Sequence, residues 1–428
     1  MRTFSLAALV AMAIAAGLPG STLSGPGLSL KAGVGYEFFS QEFFLDSLAQ
    51  AGADSLEITT ALKTTYLDDL KAQVRIGYIP LEDYRLELDG FYEQTEDSYR
   101  LRGYWNHRPA FGPFRLDWNS EVDWRDGTPE VGEADPGYLT GSGRVKLAYP
   151  VTLSTSLWTR GKAEFVRFDS VETGAFNYRR FTGEIGTSYT TSNYSLLSFS
   201  GFFTRRHVPD SPEQEYQSIG LDASFLGFYT SGEIDILSRY ESRDYNRSGN
   251  LDDYGRWDLD LRNRHNLSRR FFAREEIELE LIAFDTTSYL TSTYRRIETC
   301  VMAGLTGESG SIAAGPRLEL LRESQTESYL IAEDYTEYGI KAQFDFIRPS
   351  QVFGSLETVA GVRDRREVGT DQTSYSDFVF ERLSLLGDWT PANGLSLNVL
   401  LSVDWEWHDN PDQNSRLVLL TSNLVYAF

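Results

Sequence analysis

At 428 residues with a formal net charge of −22, the chain is too acidic for nucleic-acid binding, which draws on clustered Lys and Arg. A single cysteine, Cys300, excludes an internal disulfide. Aromatic residues make up 14% of the chain, more than a soluble core commonly carries and suited to belts at two membrane interfaces.

The amino terminus opens with Met1-Arg2-Thr3, followed by an apolar run from Phe4 to Ala16 and then Pro19-Gly20. A basic start, a short apolar core and Ala13-Ile14-Ala15 describe a secretory signal peptide. Thr22-x-Ser24 offers a second cut, so residues 1–24 are expected to be removed on export. The run is shorter than the roughly 20 residues of a spanning helix. No Cys follows it to carry a lipid anchor, and no later segment has the continuous apolar length of such a helix.

From Ser55 onward, period-two alternation replaces any helical period. Leu86, Leu88 and Gly90 oppose Glu87 and Asp89. Trp257, Leu259 and Leu261 oppose Asp258, Asp260 and Arg262, and Ile277, Leu279 and Leu281 oppose Glu276, Glu278 and Glu280. Further on, Leu356, Thr358, Ala360 and Val362 oppose Glu357, Arg363 and Arg365. Short turns are expected at Pro150, Ser192-Asn193, Leu226-Gly227, Leu267 to Arg270, Gly307 to Gly310, Arg348 to Gln351 and Thr390 to Gly394. Longer polar loops lie between them, among them Arg125–Gly137, Asp169–Asn177, Asp244–Asp253 and His408–Ser415.

The carboxyl end carries the same pattern most strictly. Leu395, Leu397, Val399, Leu401, Val403, Trp405 and Trp407 alternate with Ser396, Asn398, Ser402, Asp404 and Glu406. In Arg416–Phe428, the residues Val418, Leu420, Leu424, Tyr426 and Phe428 share one face. This ending resembles the last strands of Gram-negative outer-membrane β-barrels, which typically finish on Phe with aromatic or aliphatic residues at every second position before it. The resemblance implies a place in the cell outer membrane and a surround of outer-membrane lipid. It also implies periplasmic chaperones and the barrel assembly machinery as partners, with Leu424, Tyr426 and Phe428 as the assembly signal.

The fold expected is all-β: a single transmembrane antiparallel up-and-down β-barrel over residues 55–428, of about 20 strands within a range of roughly 18 to 22. No plug domain is expected, because only about thirty residues separate the signal from the first secure strand. Residues 25–54 form an N-terminal segment, strand or lumen insert. Leu28–Gln41 alternates, and it either pairs with a strand in Glu42–Asp54, lies in the lumen, or reflects a segment divided wrongly.

The polar faces carry both signs. The acidic lining includes Asp235, Glu276, Glu278, Glu280, Glu357, Asp404 and Glu406, and the basic lining Arg180, Arg262, Arg264 and Arg296. Two readings are open: a water-filled pore whose acidic excess favours cations, or a lumen closed by its own cross-strand ion pairs. In arginine pairs such as Arg179-Arg180 and Arg205-Arg206, alternation sends one member to each face, and near strand ends the outer one suits lipid headgroups.

Asp244, Asn246, Ser248 and Asp252 resemble the first part of an EF-hand calcium loop, with oxygen ligands at alternate positions and Gly249 at the sixth. Gly255 stands where the bidentate Glu should be, and ordinary turn residues account for the same stretch. The four histidines, His107, His207, His265 and His408, match no catalytic motif. No enzymatic activity and no cofactor are expected. The function expected is a porin-like channel for small solutes, passive or selective and cation-preferring. The alternatives are an export conduit for a polysaccharide or other polymer with a periplasmic partner, and a closed structural or adhesive barrel.

Overall fold

The computed structural model describes residues 28–50, 56–78, 86–94, 98–127, 137–168, 177–246, 253–285, 293–324, 334–348, 351–365, 377–392, 394–408 and 414–427, and for most of residues 28–99 the backbone alone. Residues 1–27, where the signal peptide is expected, residue 428 and most of the long loops lie outside the described residues.

The period-two pattern forms strands throughout. They are β1 (Leu28–Gln50), β2 (Leu56–Tyr78), β3 (Leu86–Gln94), β4 (Ser98–His107), β5 (Ala110–Phe111), β6 (Phe114–Gly127) and β7 (Tyr138–Pro150). Next come β8 (Thr155–Phe168), β9 (Tyr178–Thr190), β10 (Leu196–His207), β11 (Tyr216–Tyr229), β12 (Gly232–Tyr245), β13 (Tyr254–Asn266) and β14 (Phe271–Phe284). The last are β15 (Thr293–Gly307), β16 (Gly310–Ser324), β17 (Tyr335–Arg348), β18 (Val352–Arg365), β19 (Phe378–Ala392), β20 (Leu395–His408) and β21 (Ser415–Ala427). Among the described residues there is no α-helix, only the 3-10 turn Pro212–Gln214.

All belong to one antiparallel, up-and-down sheet. Each long strand pairs with the next, while two-residue β5 is a side ribbon on β6, and β4 pairs directly with β6. Leu28–Gln41, left open between three placements on sequence grounds, is part of a strand of this sheet that runs on through Gln50. This strand pairs with β2 from Leu28↔Tyr78 to Gln50↔Leu56, and with β21 from Lys31↔Ala427 to Glu42↔Arg416.

Turns fall where the chain can reverse tightly. Gly112 and Gly394 take the left-handed φ values 58° and 84° that a tight reversal needs. At the second, the backbone N–H of Ala427 donates to the Gly394 carbonyl at 2.6 Å and ties the end of β21 to the turn. One expected turn is misplaced. Leu226-Gly227 lies within β11, paired with Asp235 and Ile234, and the reversal comes after Tyr229↔Gly232. Glycine invited a turn there, but the ladder continues through it.

Alternation sorts the two faces. One carries exposed apolar side chains, including Ile185, Ile219, Val301, Ile312 and Ile340. The other carries the charges, several of them buried, such as Asp123, Glu241, Arg317, Glu319 and Glu337. Burial is thus inverted relative to a water-soluble sheet, where charge faces solvent. The strands from β6 onward, such as β8 and β12 at 14 residues each, would cross about 30 Å at about 3.3 Å per residue and a tilt near 45°.

Aromatic residues cluster toward both ends of the apolar face. Phe114 packs on Tyr149, and Trp105 on Trp118, each at 5.2 Å between ring centroids near the short-turn end. Trp405 stacks on Trp407 near the loop end. On the polar face, large rings lie over glycine on the adjacent strand: Phe272 over Gly304 and Phe202 over Gly220, each in space a Cβ would occupy. Arg264 and Arg239 cap these two rings at 4.1 and 4.4 Å from the centroids.

Candidate functional site

The polar face curves inward. Lys341 Nζ on β17 donates to Glu276 Oε2 on β14 at 3.0 Å, and Arg274 Nη1 donates to Gln343 Oε1 at 2.6 Å. Strands β15 and β16 lie between these partners, so a flat sheet would hold them about 14 Å apart at the usual strand spacing. They meet because the face is concave. Cys300 is buried with Phe272, Met302 and Ala313.

From β15 to β20 the charges form one continuous ladder. Arg296 reaches Glu319 at 2.7 Å and Glu298 at 3.1 Å. Arg317, almost fully buried, reaches Glu298 at 2.6 Å, Glu337 at 2.8 Å, and Glu319. Glu337 also accepts from Arg363 at 2.7 Å and Arg382 at 3.2 Å, and Arg382 lies 3.4 Å from Asp404. Arg363 stacks on Tyr335, whose hydroxyl donates to Glu319 at 2.8 Å. Smaller clusters repeat the theme. Asp123 accepts from Arg100 at 2.9 Å, Arg180 pairs with Glu164 at 2.6 Å, and Glu241 with Arg243 at 2.8 Å.

Every sequence-expected lining residue falls on this face. Glu280 pairs with Arg256 at 2.9 Å, Arg262 with Asp260 at 2.9 Å, and Glu357 with Lys341 at 3.3 Å. Glu406 accepts from Ser415 at 2.8 Å and lies 3.6 Å from buried His408. Arg264 donates to Thr306 at 3.0 Å. Glu278 and Asp235 have no cationic partner among the described residues. Glu278 lines a cavity of about 440 Å³ with Ser200, Asp222, Arg239, Asp258 and Arg296. Asp235 lines a second, of about 310 Å³, with Glu233, Arg262, Arg274 and Asp345. The sequence reading did not single out Arg317, Glu319 or Arg382 in the ladder, or Lys341 beside it. Their parity within β16, β17 and β19 was a usable signal.

Other candidates stand apart. Asn246 donates to Glu215 at 3.4 Å through its side chain, while Ser248 and Asp252 lie outside the described residues. No cluster of three or more metal-ligating side chains occurs among the described residues. Tyr426 and Leu424 lie on the apolar face of β21, opposite Ala32 and Val34 of β1.

No family model and no curated protein matches the chain. Solved structures do. The siderophore receptor PirA of Pseudomonas aeruginosa is 8% identical with a TM-score of 0.54, over 95% of this chain and 81% of that one. The alcaligin outer-membrane receptor FauA of Bordetella pertussis is 9% identical with a TM-score of 0.54, over 93% and 76%. The FrpB iron transporter of Neisseria meningitidis is 11% identical with a TM-score of 0.52, over 95% and 82%. The fold is therefore that of Gram-negative outer-membrane β-barrel proteins.

Proposed function

We propose that the chain works in the cell outer membrane as a channel or transporter for small polar solutes, crossing the bilayer as a closed barrel whose concave polar face is the lumen. The carrying observation is the inversion of burial between the two faces: isoleucine, valine and tryptophan exposed on one, paired charges and polar cavities on the other. An apolar exterior of this extent is stable in lipid, and a polar interior in water. The pairing of β1 with both β2 and β21 supplies what closure needs, since an unpaired edge in hydrocarbon costs several kcal/mol per group, on the order of the transfer cost of a peptide.

The ion ladder bears on selectivity. Most carboxylates on the polar face have an arginine or lysine beside them, so their charges largely cancel. Glu278, Asp235 and Glu233 form no close ion pair among the described residues, although arginines share their cavities, and they support a modest preference for cations. The ladder also favours a second reading, a barrel narrowed or closed on its β15–β20 side by its own side chains. Solute-driven swelling of proteoliposomes separates the two. Swelling in small sugars or amino acids supports the channel, and folded protein without swelling supports the closed barrel.

A further inference from the structure

On the apolar face, strands β6 to β10 enclose a groove of about 1050 Å³ near the loop end. Phe165, Phe181 and Phe203 stand along it, each substantially exposed. Gly143 and its cross-strand partner Ala163 form the floor, and nothing lies within 4 Å of where a Gly143 Cβ would be. The groove is thus long, apolar and open.

Arg167, Arg179 and Arg205 cap it. Arg179 lies opposite Phe165, Arg205 opposite Phe181, and Arg167 two residues beyond Phe165. That register makes Arg179 a diagonal neighbour of Arg167 on one side and of Arg205 on the other, at about 7–8 Å each, so the two outer guanidinium groups can turn toward an anion seated beside Arg179. None has a carboxylate partner among the described residues, whereas Arg160 and Arg180 on the opposite face of the same strands are both paired. Of the carboxylates lining the groove among the described residues, Asp210 accepts from Asn177 at 2.7 Å, while Glu121 and Glu164 are paired with Arg102 and Arg180. Three adjacent unpaired cations repel one another unless an anion sits between them.

We propose that this groove holds a lipid of the loop-side leaflet whose headgroup carries phosphate, with an acyl chain along the three phenylalanines and the phosphate at the three arginines. The proposal rests on the reading that the apolar face meets lipid. Charge and shape agree on the occupant: an anionic head at the membrane surface and a hydrocarbon tail pointing toward its middle.

The full chain in non-ionic detergent, titrated with phosphatidylglycerol and followed by native mass spectrometry, tests it. Wild type should retain one lipid that millimolar inorganic phosphate does not displace. Arg167→Gln/Arg179→Gln/Arg205→Gln should weaken retention by about tenfold or more. Gly143→Leu, which fills the floor and leaves the arginines in place, should weaken it as well. Retention unchanged in the triple variant overturns the arginine site, and retention unchanged in Gly143→Leu overturns the groove. Displacement by inorganic phosphate alone identifies a free-anion site instead. Heat-modifiable mobility reports folding of each variant. Failure of the lipid-facing reading shows separately, as wild-type protein that does not insert into bilayers. Protein that inserts and conducts while both variants bind lipid normally defeats only this inference.

Discussion

Arg317 Nη1 donates to Glu337 Oε2 at 2.8 Å, and both side chains are shielded from solvent, Glu337 completely. The pair joins β16 to β17 at the middle of the ladder. Because Arg363 donates to the other oxygen of the same carboxylate and Arg382 to both, one anion holds three guanidinium groups together.

Glu337→Ala should therefore destabilise the fold by about 3–5 kcal/mol, the usual cost of leaving buried charge uncompensated. Unfolding in urea with lipid vesicles present measures it. Glu337→Ala/Arg363→Met should recover part of the loss, since Arg363 has no other carboxylate partner among the described residues, whereas Arg317 keeps Glu298 and Glu319. A loss below about 1 kcal/mol in the single variant, the level of an exposed pair, would contradict the ladder's structural role.

Gly304→Ala tests the seat of Phe272. A Cβ there overlaps the ring, so the ring must move from beneath Arg264. The expected cost is about 1–3 kcal/mol, as for other overpacked sites. Gly103→Ala is the control, because nothing lies within 4 Å of its Cβ. Equal stability of the two variants would show that the ring yields freely.

Ile340→Lys places a charge on the apolar face near the middle of β17, where Ile340 is 63% exposed. Refolding into vesicles should be destabilised by about 2–4 kcal/mol if that face meets hydrocarbon. In detergent-free buffer an exposed Lys would be harmless. A variant as stable as wild type in lipid contradicts the membrane orientation of this face.

Much of this was legible in the sequence, for a physical reason. Side chains on a strand have only two directions, so Glu276, Glu278 and Glu280 against Ile277, Leu279 and Leu281 declare their faces without any structure. Register is different, because it depends on where each turn falls, and that is set by local backbone geometry. Leu226-Gly227 read as a turn and is strand, and the β11–β12 reversal comes four residues later, between Tyr229 and Gly232. Contacts between non-neighbouring strands were out of reach altogether. Lys341 and Glu276 are 65 residues apart, and only the curvature of the sheet brings them together. Likewise, Glu337 could be placed on the polar face from its parity, but its three arginine partners follow from register.

The alternation of short and long connections makes a prediction about sidedness. The loops joining β6 to β7, β12 to β13 and β20 to β21 should lie outside the cell, and the turn between Tyr229 and Gly232 in the periplasm. Tags inserted after Asp126, Asn246 and Asn414 should be reached by antibody on intact cells, and a tag after Thr230 only after permeabilisation. The reverse pattern would invert the topology.

Selectivity should reside in the carboxylates that lack a partner rather than in those of the ladder. Asp404 and Glu406 are held by Arg382 and by Ser415 with His408, so neutralising them shifts neighbouring cations as well. Glu278 and Asp235 are the cleaner probes. The decisive measurement is the current across a planar bilayer under a salt gradient, for wild type and Asp235→Asn/Glu278→Gln. Stepwise conductance with a cation-selective reversal potential in wild type is expected. That preference should weaken in the variant and as salt rises, since the Debye length falls from about 10 Å at 0.1 M to about 3 Å at 1 M. Folded, inserted protein that passes no current would contradict the channel.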